Sequence, residues 1–557
     1  MKHIQSTAIL TVTVFLSLIV LGCSDNSDSQ TGSSLFGTGS DGDSDSDMDA
    51  DADTDSDSDM DTDTDTDSGS DLDIDTDTDI DIDSDTDTDT DTDTDTDTDT
   101  STDTDTDTDS SCDPTVQFTY YLSADDSNSM ASPVIARKLI NDGSWVNTEV
   151  RTWEYLNYYN FDYTPAAPGH VNVVQDLRVT NPGESGSYAL QIGVSSPEMT
   201  NATRRPFNLV FSLDTSGSMN GPPLTRLKAV CTAIAGNLID GDTVSIIKWN
   251  TSTTVLLNSH IVIGPDDPTF LTVINGITAG GGGTDLHQGL QAAYLKAQAN
   301  FSNSRINRVV LISDGVATAG ILTQTLIAQM ADDSMTQGIY LTGVGTGLGY
   351  NDTLMDDVTD AGKGAYIYVD TTTEAAAMFG DEARFLANLE VASKDVQVAL
   401  TLPTGWFIEE FHGESYSTSS SAVEPQHLSP NDTMVFHQLI DLCGPLPVSP
   451  SDQITATATY QNPISLMPGS ETTTDTVGGL LVSTSQQLMK GDAIIQYAQT
   501  LKEIQTLMYV PANYTTIVAM IDSAQADILT ASATLGSDSD LNEIAGLLLT
   551  YRDVFTP

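Results

Sequence analysis

The chain has 557 residues, of which 81 are acidic and 19 are basic, so its formal net charge is −62. This length gives room for roughly two to four domains. Nucleic acid is a poor partner for such a chain, because binding to phosphates rewards clustered lysine and arginine.

The N-terminus carries the pattern of an export signal. An apolar run at 8–21 is short for a membrane span and typical of the core of a secretory signal. It ends in Val-Leu-Gly-Cys at 20–23, which resembles a bacterial lipobox. This resemblance predicts that residues 1–22 are a lipoprotein signal peptide and that the lipidated Cys23 begins the mature protein in the bacterial cell envelope. Ser24 favours the outer membrane by the same resemblance; an ordinary signal peptide with a chance cysteine is the alternative.

Residues 23–111 form a predicted stalk of low complexity. Between 41 and 110 there are 33 Asp, all at odd-numbered positions, and no Lys or Arg; removing these 33 charges from the total of −62 leaves −29. Alternation with period two resembles a strand, but carboxylates on one face would lie about 7 Å apart and repel within a Debye length of about 8 Å. The sequence therefore predicts an extended, disordered segment that binds cations only diffusely.

Three cysteines follow Cys23. Cys231 falls inside a helical pattern, where a small buried apolar residue is the simplest interpretation. An exported chain can keep disulfides, so we predict a bridge between the remaining pair, Cys112 and Cys443.

The region 112–206 has a mixed pattern that predicts a small N-terminal α+β domain. Helical patterns at 129–140 and 149–161 precede alternating stretches, typical of strands, at 171–179 and 188–194. The second helical pattern is rich in aromatic residues, which we expect to belong to the core.

From 207 to 391, predicted strands and helices alternate. Such alternation indicates an α/β fold with a mostly parallel sheet flanked by helices on both faces. A tight turn before the third strand suggests that this strand is an antiparallel edge. The predicted strands are 207–213, 243–249, 254–257, 308–313, 340–344 and 365–369, and the predicted helices are 224–238, 285–299, 322–335, 352–360 and 373–389.

The last region, 392–557, begins as a β unit and ends as helices. Three alternating patterns separated by Ser, Pro and Gly loops favour an antiparallel sheet. Three helical patterns follow, and we expect a small bundle packed either against that sheet or against the preceding domain. The strands are 395–402, 434–439 and 454–460, and the helices are 489–508, 514–531 and 541–554.

Three oxygen donors follow the strand 207–213. Asp214, Ser216 and Ser218 occupy alternating positions directly after it. Ligands of open α/β sheets bind at the carboxyl ends of the strands, and Mg²⁺ prefers hard oxygen donors. The alternative is that Asp214 and Ser216 only cap the helix that begins near Pro222.

Two later residues add donors of the same kind. Thr284 follows four consecutive glycines, which allow close approach to another loop. Asp314 ends the buried strand pattern 308–313. Capping explains one of these residues, whereas a metal site explains all five.

Asp-x-Ser-x-Ser, then a Thr and then an Asp resembles the metal-ion-dependent adhesion site (MIDAS) of von Willebrand factor type A (VWA) domains. The resemblance implies a Rossmann-like VWA sheet and a bound Mg²⁺, or Mn²⁺ or Ca²⁺ in its place. It also implies that the two serines and the threonine contact the ion, that the aspartates hold it and its waters, and that a partner's Glu or Asp fills an open position. The implied ligands are Asp214, Ser216, Ser218, Thr284 and Asp314.

The segment before the metal motif carries a second resemblance. Asn-Asp-Gly at 141–143, Val-Arg-x-x-Glu at 150–154 and Asn-Tyr-Tyr-x-Phe-Asp-Tyr at 157–163 are similar to a subgroup of bacterial VWA lipoproteins. In that subgroup a small domain precedes the VWA domain and another follows it.

Other motifs do not point to catalysis. The sequence has no His-Glu-x-x-His and no Gly-x-Ser-x-Gly, so we do not expect an enzyme. The glycines at 343–349 lack the spacing of a nucleotide loop and predict a turn beside the metal site. Asp285 and Asn220 are expected to be helix caps.

The sequence therefore favours an exported, lipid-anchored protein that binds a protein partner through a divalent metal, with no contact to the membrane beyond its anchor. A scaffold or assembly subunit of an envelope complex, with a mainly structural metal, is the alternative.

Overall fold

A computed structural model describes residues 112–556, except 181–186, 324–326, 328–330, 332–333, 335–337, 348–349, 445 and 483–484. The predicted signal peptide, the lipidated Cys23, the Asp-rich stalk and most of the predicted helix 322–335 lie outside the described residues.

The strands of the described chain are β1 (Thr119–Ser123), β2 (Asn172–Val179), β3 (Tyr188–Ser195), β4 (Phe207–Asp214), β5 (Thr243–Trp249), β6 (Thr253–Ile261), β7 (Ile306–Ser313), β8 (Tyr340–Gly345), β9 (Tyr366–Tyr368), β10 (Ser393–Thr401), β11 (Trp406–Phe411), β12 (Ser415–Ser417), β13 (Gln426–Leu428), β14 (Thr433–Leu442), β15 (Gln453–Gln461) and β16 (Pro468–Thr476). The helices are α1 (Ala131–Asn141), α2 (Thr152–Tyr158), α3 (Pro222–Ala235), α4 (Pro268–Gly276), α5 (Leu286–Ala299), α6 (Asp352–Ala361), α7 (Thr372–Phe379), α8 (Glu382–Leu389), α9 (Val477–Leu480), α10 (Gln486–Leu507), α11 (Tyr514–Thr534) and α12 (Ser539–Val554).

Residues 207–391, here called the central domain, contain one sheet in the order β6-β5-β4-β7-β8-β9. All neighbours are parallel except β5 and β6, so the predicted antiparallel edge strand is confirmed. β4 is central, and every one of its residues is buried. Strands buried on both faces read as continuous apolar runs, which is why the sequence predicted this α/β sheet correctly.

Helices cover both faces of the central sheet. One face packs against α3, α4, α7 and α8, and the other packs against α5, α6 and the N-terminal part of α1. Cys231 is completely buried on the first face, which confirms its predicted core role. On the second face Gly289 permits close packing of α5, because a Cβ there would lie 2.5 Å from the Trp249 ring.

The predicted division of the flanks into two separate domains is wrong. One sheet has the order β12-β1-β10-β15-β16, with β13 paired to β10, and another has the order β11-β14-β3-β2. Each sheet therefore joins strands from before the central domain to strands from after it. We call residues 112–206 and 392–556 together the flanking module. The strands before the central domain could not be paired with those after it from the sequence, because an alternating pattern does not identify the partner strand.

The two flanking sheets enclose one apolar core. Leu122 and Val398 from the first sheet belong to the same buried cluster as Ile192 and Phe436 from the second. This arrangement is a β-sandwich into which the central domain is inserted between β3 and β10. Cys112 and Cys443 form a disulfide, with their Cα atoms 5.2 Å apart, that ties the two parts of the flanking module together.

The C-terminal helices α10, α11 and α12 pack with α1 and α2 of the N-terminal part. The predicted aromatic core of the second helical pattern is confirmed, because Tyr155 is completely buried and its ring lies 5.5 Å from that of Tyr497. The same cluster includes Val435 of β14. The bundle packs against the four-stranded sheet. The predicted single sheet of the three C-terminal strands is wrong, because β14 belongs to the four-stranded sheet and β10 and β15 belong to the other one.

Several elements were missed by sequence analysis. Strand β16 carries Ser, Glu, Thr and Asp rather than apolar residues, and it is held by threonine pairs such as Thr457 and Thr472, whose hydroxyls are 3.0 Å apart. The predicted helix 373–389 is two helices, because Asp381 caps a new start by accepting a hydrogen bond from the Arg384 amide. Helix α4, capped by Asp267, was also missed.

No helix among the described residues has the length and apolar character needed to cross a membrane.

The joint sandwich predicts a strong effect from one core tryptophan. Trp406 on β11 is 1% exposed, and its ring lies 5.1 Å from that of Tyr188 on β3. We expect Trp406→Ala to lower the free energy of unfolding by about 3–5 kcal/mol, because it leaves a cavity between strands from both parts of the flanking module. Urea denaturation measures this, with Leu549→Ala, at a side chain 52% exposed, as the control that changes little. Equal effects of the two substitutions would contradict the shared core.

Candidate metal centre

The predicted metal ligands lie at the carboxyl edge of the central sheet. β4 ends at Asp214 and is followed by a short 3₁₀ turn, Gly217–Met219. β7, the neighbour of β4, ends at Ser313, and Asp314 follows it directly. Parallel pairing therefore brings the two acidic residues to the same edge.

Asp214 is fully buried and fixed through both carboxylate oxygens. Its Oδ1 accepts a hydrogen bond of 2.8 Å from the Ser216 amide, and its Oδ2 accepts one of 2.7 Å from the Ser313 hydroxyl. In the described part of the chain, no arginine or lysine forms an ion pair with Asp214 or Asp314. The carboxylate is thus oriented by neutral groups and keeps its negative charge available for a cation.

Ser216 and Ser218 present two hydroxyls with the spacing of neighbouring ligands. Their Oγ atoms are 3.1 Å apart. Neighbouring corners of an octahedron with Mg²⁺ to oxygen bonds of 2.0–2.1 Å are about 3 Å apart, so the pair fits a shared magnesium ion. Ser216 is 1% exposed, whereas Ser218 is exposed, so the site opens to solvent on one side.

The capping alternative does not explain these residues. Helix α3 has Gly221 at its N-cap position, and no side chain there makes a capping hydrogen bond. Ser216 stands at the N-cap of the 3₁₀ turn, also without a side-chain cap. Their side chains are therefore free of a helix-capping role.

The glycine-rich loop is bound to both other loops. Gly280 donates a hydrogen bond to the Thr215 carbonyl, 3.1 Å, beside Asp214. Thr284 donates from its amide to the Thr318 hydroxyl, 2.8 Å, and its carbonyl accepts from the amides of Thr318 and Ala319. Thr284 is 3% exposed. These contacts hold the loop that carries Thr284 between the loops that carry Asp214 and Asp314.

Asp314 is held by the turn after β8. The Asn351 amide donates to the Asp314 carbonyl at 3.2 Å, and the Thr346 amide donates to the Ser313 carbonyl at 3.0 Å. A Cβ at Gly347 would lie 2.9 Å from the Asp314 Cβ, and Gly347 has φ +134°, so only glycine suits this approach. The predicted glycine turn beside the metal site is thus present as far as Gly347; residues 348–349 lie outside the described residues.

Burial raises the pKa of Asp214 from 3.8 to about 6; the hydrogen bonds from Ser216 and Ser313 oppose this rise, and the nearby charge of Asp314 adds to it. A carboxylate in such surroundings is destabilised when charged and unpaired. A divalent cation between the two acids would remove that cost, which is the electrostatic reason that the site suits a metal.

The donor set decides which kind of metal fits. Three of the five donors are hydroxyls and two are carboxylates, and such oxygen donors suit Mg²⁺ and Mn²⁺ rather than soft metals. No group of three or more His, Cys, Asp and Glu side chains arranged to hold a metal occurs among the described residues. With only two carboxylates among the five candidate donors, a metal here would be bound by few charges and would retain water.

Three supporting residues of the site were not predicted from the sequence. Ser313 orients Asp214, Thr318 holds Thr284, and Thr346 links β8 to the Asp314 strand. Each is a common residue in a loop or at a strand end, so only the adjacency of Ser313 to Asp314 gave any signal. Asp285 caps α5 as predicted, by accepting from the Gln288 amide. Asn220 is exposed and lies at the C-cap of the 3₁₀ turn Gly217–Met219, while the N-cap of α3 is Gly221.

The profile of the von Willebrand factor type A domain matches residues 208–381, which include all five predicted ligands. These residues form a VWA domain. The sheet order, the antiparallel edge strand and the flanking helices of the VWA domain agree with the predicted fold class.

Two curated bacterial proteins are similar to the chain in sequence. The uncharacterized protein YfbK of Escherichia coli (strain K12) is 26% identical over 298 residues, covering 52% of this chain and 51% of YfbK. The uncharacterized protein sll0103 of Synechocystis sp. is 23% identical over 212 residues, covering 38% of this chain and 49% of that protein. The chain thus matches about half the length of these relatives. The match to YfbK is longer than the VWA domain itself.

Two solved structures are similar to the chain at low identity. The von Willebrand factor type A protein from Catenulispora acidiphila is 13% identical, with a TM-score of 0.43, and the likeness covers 69% of this chain and 96% of that one. Proximal thread matrix protein 1 from the mussel byssus, with a zinc-occupied MIDAS motif, is 14% identical, with a TM-score of 0.27, covering 32% of this chain and 48% of that one.

The buried carboxylate predicts a pH-dependent effect of metal. Because the folded-state pKa of Asp214 is raised to about 6, the stability contributed by its protonated form is lost as the pH rises through 6. The cost at neutral pH is on the order of 2–3 kcal/mol, and a bound cation offsets it. We expect Mn²⁺ to raise the melting temperature more near pH 7 than near pH 5, as measured by calorimetry.

Asp214→Asn is the matched control for this measurement, since it removes the titrating charge with little change in shape. In this variant the melting temperature should not respond to Mn²⁺ at either pH. An equal response of the variant and the wild type would show that the metal acts elsewhere.

Proposed function

We propose that the protein is a binding protein in which the VWA domain holds Mg²⁺ and uses it to bind a carboxylate of a protein partner. The pair of serine hydroxyls 3.1 Å apart, with Ser218 exposed beside the buried Asp214, carries this proposal. It supplies two neighbouring ligands on the protein side and leaves the solvent side open. Mn²⁺ and Ca²⁺ are the other ions that such oxygens accept.

The charge of the site supports a carboxylate as the partner group. Three of the proposed ligands are neutral, and Mg²⁺ binds through few carboxylates with retained water. A water on the open side is therefore exchangeable for an anionic oxygen. A partner's Glu or Asp is the protein group that offers one.

We propose binding and not catalysis. Ser216 and Ser218 contact each other, and Ser216 contacts Asp214; among the described residues, no histidine is bonded to either serine. An activated serine nucleophile needs a general base within hydrogen-bond reach. The hydroxyls are better suited to metal ligation.

We also propose that the protein is anchored to the bacterial envelope, in the outer membrane, through lipidated Cys23, with the Asp-rich segment as a spacer. The support is the lipobox-like tetrapeptide at 20–23 and the acidic repeat at 41–110. Cells producing Cys23→Ser should release the protein from the membrane fraction, whereas Cys231→Ser should leave it there. Retention of both variants in membranes would refute the anchor.

Metal-dependent partner binding is tested by pull-down from envelope extracts. We expect the mature chain to retain a partner with Mg²⁺ and to lose it with EDTA, because the metal bridges the two proteins. Asp314→Ala should lose the partner in either buffer. The same captured proteins with and without EDTA would contradict the proposal.

Ser218→Ala separates an adhesive metal from a structural one. Ser218 is exposed, so its removal should abolish capture of the partner while leaving the melting temperature of the metal-loaded protein within a few degrees of wild type. A large fall in both would favour the scaffold alternative, in which the metal mainly stabilises the fold.

A further inference from the structure

Two arginines of the flanking module contact the VWA domain at the carboxyl edge of its sheet. This edge carries the candidate metal ligands and is called the metal edge. Both lie in the segment before the VWA domain, outside the residues that the family profile matches. Their partners are carboxylates in the loops and first helical turns that follow β9 and β8.

Arg137 of α1 makes the first cluster. Its Nε and Nη2 donate to the two carboxylate oxygens of Asp370, at 3.2 and 3.0 Å, and Nη2 also donates to Glu374 at 2.7 Å. Nη1 donates to the Tyr158 hydroxyl at 2.6 Å. The side chains of Arg137, Asp370 and Glu374 are only 13%, 6% and 6% exposed. A bidentate, nearly buried pair of this kind fixes geometry as well as charge.

Asp370 continues this contact to the strand of Asp314. The Asp370 carbonyl accepts a hydrogen bond of 3.0 Å from Arg226 of α3. Arg226 also donates to the Thr346 hydroxyl at 2.6 Å. The Thr346 amide donates to the carbonyl of Ser313, the residue before Asp314. Arg137 is therefore joined to the end of β7 by an unbroken series of hydrogen bonds.

Arg151 makes the second cluster, at the start of α2. Its Nη1 and Nη2 donate to the two carboxylate oxygens of Asp352, at 2.8 and 3.1 Å, and its Nε pairs with Glu154. The Arg151 and Asp352 side chains are 4% and 16% exposed. Asp352 is the first residue of α6, and its neighbour Asn351 donates to the Asp314 carbonyl. Arg151 thus fixes the start of α6, next to the residue Asn351 that is hydrogen-bonded to Asp314.

We propose that Arg137 and Arg151 are positioning residues of the metal site, through which the flanking module sets the place of Asp314 and hence the affinity for the metal and for the partner's carboxylate. The inference rests on the proposed metal binding. Groups bonded directly to metal ligands typically change metal affinity by about 10- to 100-fold when they are removed; because these arginines act through intervening residues, we expect the lower end of that range. The flanking module then contributes to the site. A partner or modification that loosens this module would lower the affinity of the VWA domain for the metal and for the partner's carboxylate.

The opposing interpretation is that the arginines only stabilise the fold, as buried ion pairs do elsewhere. A matched pair that also joins the flanking module to the central domain tests this. Arg204 and Asp242 form a bidentate pair at 2.9 and 2.7 Å with both side chains 0% exposed. Asp242 also accepts from the Phe207 amide, at the amino end of β4 and so at the opposite edge of the sheet. This pair shares the burial and chemistry of the two clusters but not their connection to Asp314.

The experiment measures Mn²⁺ affinity of the mature chain by calorimetric titration, with the melting temperature of each metal-free variant recorded beside it. The variants are Arg137→Lys, Arg151→Lys and the control Arg204→Lys, since lysine keeps the charge but loses the bidentate contact. We expect the first two to bind Mn²⁺ roughly 10-fold or more weakly, and the control to bind as wild type even where its melting temperature falls. Asp370→Asn and Asp352→Asn, which weaken the same contacts from the other partner, should shift the affinity in the same direction and serve where an arginine variant does not fold.

The outcomes separate the two proposals. If all variants bind Mn²⁺ as the wild type does, the positioning role is wrong and the metal site is unaffected. The same holds if Arg204→Lys weakens Mn²⁺ binding as much as Arg137→Lys and Arg151→Lys do. Absence of Mn²⁺ binding by the wild type would overturn the proposed function itself, and the positioning role with it. A loss confined to the Arg137 and Arg151 clusters supports the inference.

Discussion

The parallel pairing of β4 with β7 is the constraint on which the rest of this structure depends. It brings Asp214 and the residue before Asp314 to one edge, so that the Ser313 hydroxyl bonds the Asp214 carboxylate at 2.7 Å. A buried carboxylate costs stability unless hydrogen bonds and a counter-charge compensate it. The protein supplies the hydrogen bonds to the Asp214 carboxylate, and a bound cation would supply the counter-charge. Fold and proposed chemistry therefore follow from one arrangement of strands.

The flanking module is built around the insertion of the VWA domain. Its two sheets each combine strands from before and after residues 207–391, so neither part has a complete sheet alone. The same module sends α1 against the VWA sheet and α2 towards α6, and it does so near the metal edge. A VWA domain held in this way is not independent of its surroundings, since the flanking module contacts Asp370 and Asp352, next to the loops of the candidate site.

The sequence predicted the VWA fold correctly because that fold depends on local signals, and the candidate ligands, which stay a prediction, rest on local signals as well. Continuous apolar runs predicted buried parallel strands. Asp214, Ser216 and Ser218, at alternating positions, indicated a candidate site in the loop after β4. The strand pairing of the flanks depends on partners more than 200 residues apart, for example Leu122 with Val398, and no local pattern encodes it. The polar strand β16 was not predicted, because it is an edge strand and such a strand needs no apolar face of its own. The contacts of Arg137 and Arg151 likewise join residues that only the fold brings together.

Anomalous X-ray diffraction from crystals of the mature chain grown with Mn²⁺ tests the central claim most directly, because it locates the metal without reference to binding or stability. We expect one strong manganese peak at the carboxyl edge of the VWA sheet, within coordination distance of the Ser216 and Ser218 hydroxyls and adjacent to Asp214, Thr284 and Asp314. A well-ordered edge with no peak between these residues, or manganese bound only elsewhere in the chain, would contradict it.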